Sequence, residues 1–520
     1  MLPGSSRNRF ATYVPPNESN SSSYAMIEIS RASRSDRTWC SLNVLRSAFF
    51  SLTLILLAAA TPVAQTSGGV SPTPTVTLPG QENPFLGSAP EGKATSEVLQ
   101  IDFKEAIDRG LRNNLGALLA SDQTEQAQGQ RWKELSDLLP NISARAMEDV
   151  QTQSLTALGL KPSVFHAPVP RVIGPFNYFD VRANFSQSLF NFKNLQSERA
   201  ASESLKAARL NYKDAREMVV LAVGNAYLQA IAAAARVETA EAQVTSAQAL
   251  YNKASDQQRA GLAPAIDALR SQVEFQTRQQ QLIVARNDLA KQRLTVARII
   301  GLPLGQEFVL TEKAPYHELT PLPVETYLQR AYANRADYLA GQAQLRAAEL
   351  SRQSAAAGRY PSLDVSANYG DIGVTPAHSN GTWQVSGGLN IPIFAGGRVH
   401  ADVLQADAQL KQARSQLEDL RGRIDYEVRT SLLDLNAAAD QVAVARSSVD
   451  LAEQALTQAQ DRFAAGVADN LEVVQAQESV AGAHESYIES LYAHNLSKVE
   501  LAHAIGDAEA GVKRFLKGTP

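Results

Sequence analysis

Ala260-Gly261-Leu262-Ala263 and Ala465-Gly466-Val467-Ala468 are two settings of one phrase, and their neighbours repeat with them. Each follows a long run with helical spacing and precedes a shorter amphipathic run, which closes on Ile300-Gly301 in one case and Ile505-Gly506 in the other. The spacing agrees to the residue, since 466 − 261 and 506 − 301 both give 205. Phe190 and Phe394 stand ahead of the two long runs. A duplication of this size predicts two copies of one supersecondary unit, and function must follow from what that unit builds.

No proline interrupts Ser197–Ala260. A helix there extends ~95 Å at 1.5 Å per residue, several times the thickness of a bilayer, so it must leave any membrane it touches. Its seam reads Leu205, Ala208, Tyr212, Ala215, Val219, Ala222, Ala226, Ala230, Ala233, Val237, Ala240, Val244, Ala247, Tyr251 and Ala254. Steps of three and four alternate as in a coiled coil, except that two steps of four from Ala222 to Ala230 make a stutter, which unwinds the supercoil locally. The second copy keeps the lower seam through Val442, Ala445, Val449, Ala452, Leu456, Ala459 and Phe463. Gly261 and Gly466 end the seams, where glycine takes the left-handed conformation that terminates a helix.

Ahead of each long helix the period changes to two. Phe179, Val181, Ala183 and Phe185 alternate with Asp180, Arg182, Asn184 and Ser186; Leu363, Val365, Ala367 and Tyr369 alternate with Asp364, Ser366 and Asn368; Trp383, Val385, Leu389, Ile391 and Ile393 do so with Gln384, Ser386 and Asn390. Strands with one apolar and one polar face suit a soluble antiparallel sheet or a membrane barrel. Runs of about ten residues with aromatics near their ends (Tyr178, Phe179, Phe190, Tyr360, Trp383, Phe394) favour the barrel. Four strands cannot close one, and open edges are not tolerated in lipid. Two copies supply eight strands and a filled interior; three supply twelve and a lumen.

The N-terminus reads as an export signal. Arg31, Arg34, Arg37 and Arg46 precede the apolar run Ala48–Ala60, too short to span a membrane but of signal-peptide length, with cleavage expected at Ala58-Ala59-Ala60 or Val63-Ala64. Translation starts at Met1 or Met26; residues 1–64 are assigned to extension and signal peptide, and Pro/Gly/Ser/Thr-rich residues 65–98 to a flexible leader. The repeats are placed at 99–310 and 311–507, with a tail at 508–520. Asp102 with Glu105 makes a capping box at the start of the first, and helical pattern breaks at Asn113-Asn114 before Pro140; the second repeats this from Glu325 through Asn334 to Pro361.

Chemistry is hard to find. The seven histidines form no H-E-x-x-H pair, the single Cys40 has no partner, and there is neither a G-x-S-x-G elbow nor a phosphate-binding loop. No catalytic, cofactor-binding or metal residue is nominated, and His494 and His503, nine residues apart, are read as ordinary surface or seam positions. A net charge of −4 provides no basic field for nucleic acid. The lumen-facing candidates Asp180, Arg182, Asn184, Asp364 and Asn368 are mixed in charge and point to no substrate class.

The strand exits at Phe190 and Phe394, the breaks at Asn113-Asn114-Leu115 and Asn334-Arg335-Ala336, and above all Arg462-Phe463-Ala464-Ala465-Gly466-Val467-Ala468-Asp469-Asn470-Leu471-Glu472-Val473-Val474-Gln475-Ala476-Gln477 give the chain a resemblance to TolC-like outer-membrane efflux proteins. It covers roughly Leu99 to Gly506. The resemblance implies a mainly α fold with a small β part: duplicated coiled-coil hairpins and four strands per chain, assembled as a homotrimer with a twelve-stranded outer-membrane barrel and a twelve-helix periplasmic tunnel. It implies a passive channel of a tripartite efflux or type I secretion system, with a periplasmic adaptor and an inner-membrane pump or ABC transporter as partners. The adaptor is expected at the tips Gly261, Leu262, Ala263, Gly466, Val467 and Ala468. Acidic gate residues of similar proteins match Glu472 and, as a glutamine, Gln475, with Asp469 as a possible helper; a helix N-terminus favours acids there on dipole grounds alone. A periplasm-spanning stalk without transport is the competing reading.

Overall fold

The structure is a computed structural model, and it describes residues 83–158, 170–312, 316–319 and 322–517. The signal-peptide assignment and most of the leader lie outside the described residues. The first repeat runs β1 (Leu99–Ile101), α1 (Phe103–Asn113), α2 (Leu115–Ser136), β2 (Asn141–Ser154), β3 (Val172–Phe190), α3 (Phe192–Arg259) and α4 (Ala265–Ile300). The second runs β4 (Phe308–Leu310), α5 (Val324–Asn334), α6 (Ala336–Ala357), β5 (Ser362–Gly373), β6 (Ser379–Asn390), α7 (Arg398–Ala464) and α8 (Asn470–Ala504), with α9 (Ala508–Leu516) after it.

Each repeat begins with two short helices joined at a break. Asp102 caps α1 by accepting from Glu105 N at 2.6 Å. At the break Asn114 turns extended (ψ 133) and its Oδ1 accepts from Gly116 N at 2.9 Å, restarting the helix as α2. Arg335 is likewise extended between α5 and α6 (ψ 120), without a side-chain cap on the helix it starts. The ends of the repeats meet these breaks: Asn114 Nδ2 donates to Ile299 O at 3.3 Å, and Arg335 Nη1 donates to Ala504 O at 3.3 Å. Those carbonyls lie two residues before Gly301 and Gly506, whose φ values are +77 and +71. A Cβ on Gly506 would stand 2.8 Å from the Arg335 backbone, so the Ile-Gly endings are required both by the left-handed turn and by the close approach.

The two long helices run side by side with their partners as antiparallel hairpins, α3 with α4 and α7 with α8. The expected seam residues of α3, and those of the lower α7, are buried or half-buried. The stutter has a tertiary cause. Around it Val219, Val220, Val223, Ala226, Tyr227, Leu228, Ala230 and Ile231 are buried on all sides, in a core completed by α1, the end of α4, the middle of α7 and the end of α8. A helix leaving a two-helix seam to pass through a core needs no single stripe. By length and composition α3 is apolar enough to cross a membrane, yet 56% of its apolar window is buried in protein.

Several expectations are corrected. The stretch 83–98 of the leader is strapped down: Phe85 packs against the core, Ala89 N donates to Asn113 O at 2.9 Å, and Thr95 N donates to Gln306 Oε1 at 2.8 Å. The phenylalanine and the paired backbone give this stretch the packing its composition hides. The tail contains α9, which docks Val512 and Phe515 in the core and is capped by Glu217, whose Oε2 accepts from Ala508 N at 2.6 Å. Periodicity over nine residues is too short to have announced it. The β1–β4 pair, parallel from Leu99↔Phe308 to Ile101↔Leu310, was not anticipated and ties the start of one repeat to the start of the other. His494 is no surface residue: it is fully buried against Tyr316 at 5.0 Å, and burial, then the Lys498 charge, lowers its pKa to about 4.

Arg335 forks onto Asp337 (3.0 and 2.8 Å) and reaches Glu427 Oε2 at 2.5 Å. Asp214 on α3 faces this group, and burial, then Asp337, pushes its carboxyl up to about 6. A carboxyl raised in the folded state favours folding most below pH 3.8 and loses that advantage as pH rises to 6. Asp214→Asn is therefore expected to raise the stability at pH 7 by on the order of 1–3 kcal/mol, and the thermal midpoint with it, and to leave both nearly unchanged at pH 4. Melting curves of parent and variant at the two pH values check this.

Candidate functional site

The hairpin tips are built by matched helix stops. At the first, Leu262 N donates to Gln257 O at 2.8 Å and Gly261 N to Gln258 O at 3.0 Å; at the second, Val467 N donates to Arg462 O at 3.0 Å and Gly466 N to Phe463 O at 3.1 Å. This pair of hydrogen bonds around a left-handed residue is the Schellman arrangement, and the φ values of +72 and +73 at Gly261 and Gly466 supply it. Nothing lies within 4 Å of either Cβ position, so backbone conformation alone demands glycine. The turns then present Leu262 and Val467 outward, 80% and 68% exposed, with Ile266 and Leu269 beside them on α4. Two apolar knobs at the free end of a hairpin pair are a surface looking for a partner.

Asp469 and Glu472 come together as an N-cap. Glu472 N donates to Asp469 Oδ1 at 3.2 Å, and Glu472 Oε1 lies 3.4 Å from Arg462 Nε across the hairpin. Glu472 is thus partly engaged, while Gln475, one turn on, is exposed. Between these residues sits one that sequence reasoning quoted without assigning a role. Asn470 is fully buried, and its Nδ2 donates to Asp267 O at 2.9 Å and Ser271 Oγ at 2.6 Å, both on α4. It pins the second tip to the first, assisted by a small core of Leu250, Ala459, Phe463 and Val473. A buried asparagine at a helix start reads as a cap in sequence, which is why its bridging role was hidden.

At the other end the strands form one sheet in the order β2-β3-β5-β6. One face carries the rows Ile142–Phe185–Ala367–Val385 and Ala144–Ala183–Tyr369–Trp383. Ile142, Tyr369, Trp383 and Val385 on it are all more than 60% exposed. The opposite face carries Ser143–Asn184–Asn368–Gln384, and Asp180, Arg182 and Asp364 share it as expected. Twelve-residue β5 and β6 measure about 40 Å, and a tilt of roughly 40° brings that to ~30 Å, the thickness of a hydrocarbon layer. Two strand limits differ from expectation. Ile391 and Ile393 fall beyond β6, because Asn390 already pairs with Ser362 at the start of β5. The β2–β3 hairpin outruns its partner, since β3 pairs with β5 only from Phe179 onward and Val172–Tyr178 project further.

An exposed apolar sheet face of membrane height, carried on helices far too long to stay in the membrane, defines a protein that spans an outer membrane and reaches into the periplasm. The family profile described as "Outer membrane efflux protein" matches residues 108–302 and 327–507, and the chain belongs to that family. It is 24% identical over 473 residues to the pyoverdine export outer membrane protein OpmQ of Pseudomonas putida, covering 88% of this chain and 96% of that one. To the outer membrane protein TolC of Vibrio cholerae it is 22% identical over 445 residues, covering 83% and 98%. Among solved structures, the outer membrane protein VceC of Vibrio cholerae superposes with a TM-score of 0.67 at 22% identity, over 78% of this chain and 96% of that one. The protein is an outer-membrane channel component of the efflux and secretion class.

The Asn470 bridge leads to a measurable expectation. Asn470→Leu removes both bonds between the tips and leaves Asp267 O and Ser271 Oγ, both buried, with only the bond they make to each other, a loss of about 1–3 kcal/mol. Spin labels at Leu262 and Val467 should report a longer, broader distance distribution in the variant than in the parent, with the sheet unaffected by circular dichroism.

Proposed function

We propose that three copies of the chain assemble into one passive conduit, with a twelve-stranded barrel in the outer membrane and twelve helices continuing it through the periplasm. The observation that carries this is the open four-stranded sheet: β2 and β6 are edge strands, and edges in lipid must pair. Each copy offers one edge of each kind, so a head-to-tail ring closes without a gap, and twelve strands enclose a lumen where eight are filled by side chains. The apolar knobs Leu262 and Val467, with Gly261, Ala263, Gly466 and Ala468 behind them, suit docking of a periplasmic adaptor that connects to an inner-membrane pump or ABC transporter. Energy enters from that partner, since a conduit needs no chemistry of its own. Cargo leaves as in tripartite efflux or type I secretion.

The assignment of Glu472 follows from threefold symmetry. Three copies around the axis form a carboxylate ring at the periplasmic end, and such a ring in a narrow passage attracts cations. Asp469 is occupied in capping α8 and Gln475 is uncharged, so Glu472 carries the ring, tempered by Arg462.

Light scattering of the purified protein in detergent is expected to return the mass of three chains. A β-branched residue at Gly466 or Gly261 strains a left-handed turn by roughly 1–2 kcal/mol or more and displaces the neighbouring knob. Gly466→Val should therefore lower drug resistance and adaptor crosslinking while trimer yield holds. In planar bilayers Glu472→Gln should weaken cation selectivity and block by multivalent cations; unchanged values assign Glu472 to the helix terminus alone.

A further inference from the structure

Arg145 and Arg182 stand directly opposite each other in the β2–β3 register, on the polar face of the sheet. Like charges facing each other across antiparallel strands repel, and a fold keeps such a pair only with compensation. Arg182 has it. Its Nε donates to Asp180 Oδ1 at 2.6 Å, and Asp180, 8% exposed, is occupied by that contact. Arg145 is exposed and makes no ion pair or hydrogen bond among the described residues.

The surrounding register supplies no second acid. The remaining positions of the row are Gly370 and Thr382, and the next row toward the helices, Ser143–Asn184–Asn368–Gln384, is uncharged. Glu148 and Asp371 belong to the opposite face. Asp149 shares the face but lies four residues further along β2, about 13 Å away along the strand at ~3.3 Å per residue. Gly370 adds no side chain to the row, and the position its Cβ would take is filled by the Arg182 Cα and Cβ, so Arg145 and Arg182 are the only charged side chains in it.

We propose that Arg145 with Arg182 forms an anion subsite on the inner wall of the barrel, and that the conduit thereby favours cargo bearing carboxylate, sulfonate or phosphate groups. The inference rests on the trimeric conduit reading, which turns the polar face inward and sets three such pairs at one level. Guanidinium forks match the oxygens of these groups two at a time, and an anion between the two arginines relieves their repulsion. Selection here is separate from the carboxylate ring at the tips. Cargo meets it last, after leaving the helical tunnel.

Calorimetric titration of pyrene-1,3,6,8-tetrasulfonate into the trimer, held in zwitterionic lipid nanodiscs at low ionic strength, tests the subsite. The parent should bind three molecules per trimer and release them as salt rises. Arg145→Gln should weaken binding roughly tenfold or more, and Arg145→Lys should recover only part of that loss, because lysine restores the charge but not the two-pronged fork. Binding that is absent in the parent, or equal in the parent and Arg145→Gln, overturns the subsite while leaving the conduit standing. Light scattering on the same samples separates the two readings, because a parent that is not trimeric overturns the conduit and the subsite together.

Discussion

Each repeat is closed by one hydrogen bond between a helix break and a helix end. The last carbonyls of a helix have no intrahelical partner, and here a side chain from the break between two earlier helices supplies one: Asn114 to Ile299 O, Arg335 to Ala504 O. The acceptors are 205 residues apart, the same interval as the glycines that follow them. This contact fixes where the returning helix of each hairpin ends against the break at the start of its own repeat. Hairpin tips and strands then lie at opposite ends of helices whose middles are clamped. Asn114 does this with neutral bonds to Ile299 O and Phe85 O, whereas Arg335 brings in Asp337 and Glu427. The duplicated positions keep one geometry with two chemistries.

Asymmetry between the repeats is where particular behaviour enters. The first break is covered by the strap of residues 83–98, and the second is surrounded by an ionic cluster. The first strand hairpin projects beyond the second, so any ring of copies alternates tall and short ribbons at its outer rim. Beyond Phe179 the ribbon pairs with no third strand among the described residues, and its unpaired backbone groups belong in water rather than lipid. The limit of shared pairing thus marks the upper edge of the hydrocarbon layer from hydrogen bonding alone.

The apolar surface of the chain divides by the same logic. On the sheet it is outward, where lipid covers it, and the backbone is satisfied between strands. In α3 it is inward, where α1, α4, α7 and α8 cover it. Composition does not separate the two cases, since the α3 segment is hydrophobic enough for a membrane and the strands are only half apolar. What separates them is whether neighbouring elements of the same chain can reach.

Much of this was legible in the sequence. The 205-residue interval, the seam from Leu205 to Ala254, the breaks at Asn114 and Arg335, the left-handed glycines and the two-faced strands are all local or periodic signals, and local signals survive in one dimension. The turns at Gly261 to Ala263 and Gly466 to Ala468, and the helix start beside Glu472, were readable for the same reason, whereas the cap from Asp469 Oδ1 to Glu472 N was not read. Tertiary structure alone decided the rest. That Asn470 bonds Ser271, that Arg145 faces Arg182, that Asp214 feels the charges of Asp337 and Arg335 and that Phe85 packs the leader against the core follow from packing or register. A slip of one residue between β2 and β3 would have sent Arg145 to the other face, and the alternation along the strands excludes it; which of the registers two residues apart is taken, and so whether Arg145 meets Arg182, is decided by the turn and the pairing of the backbone.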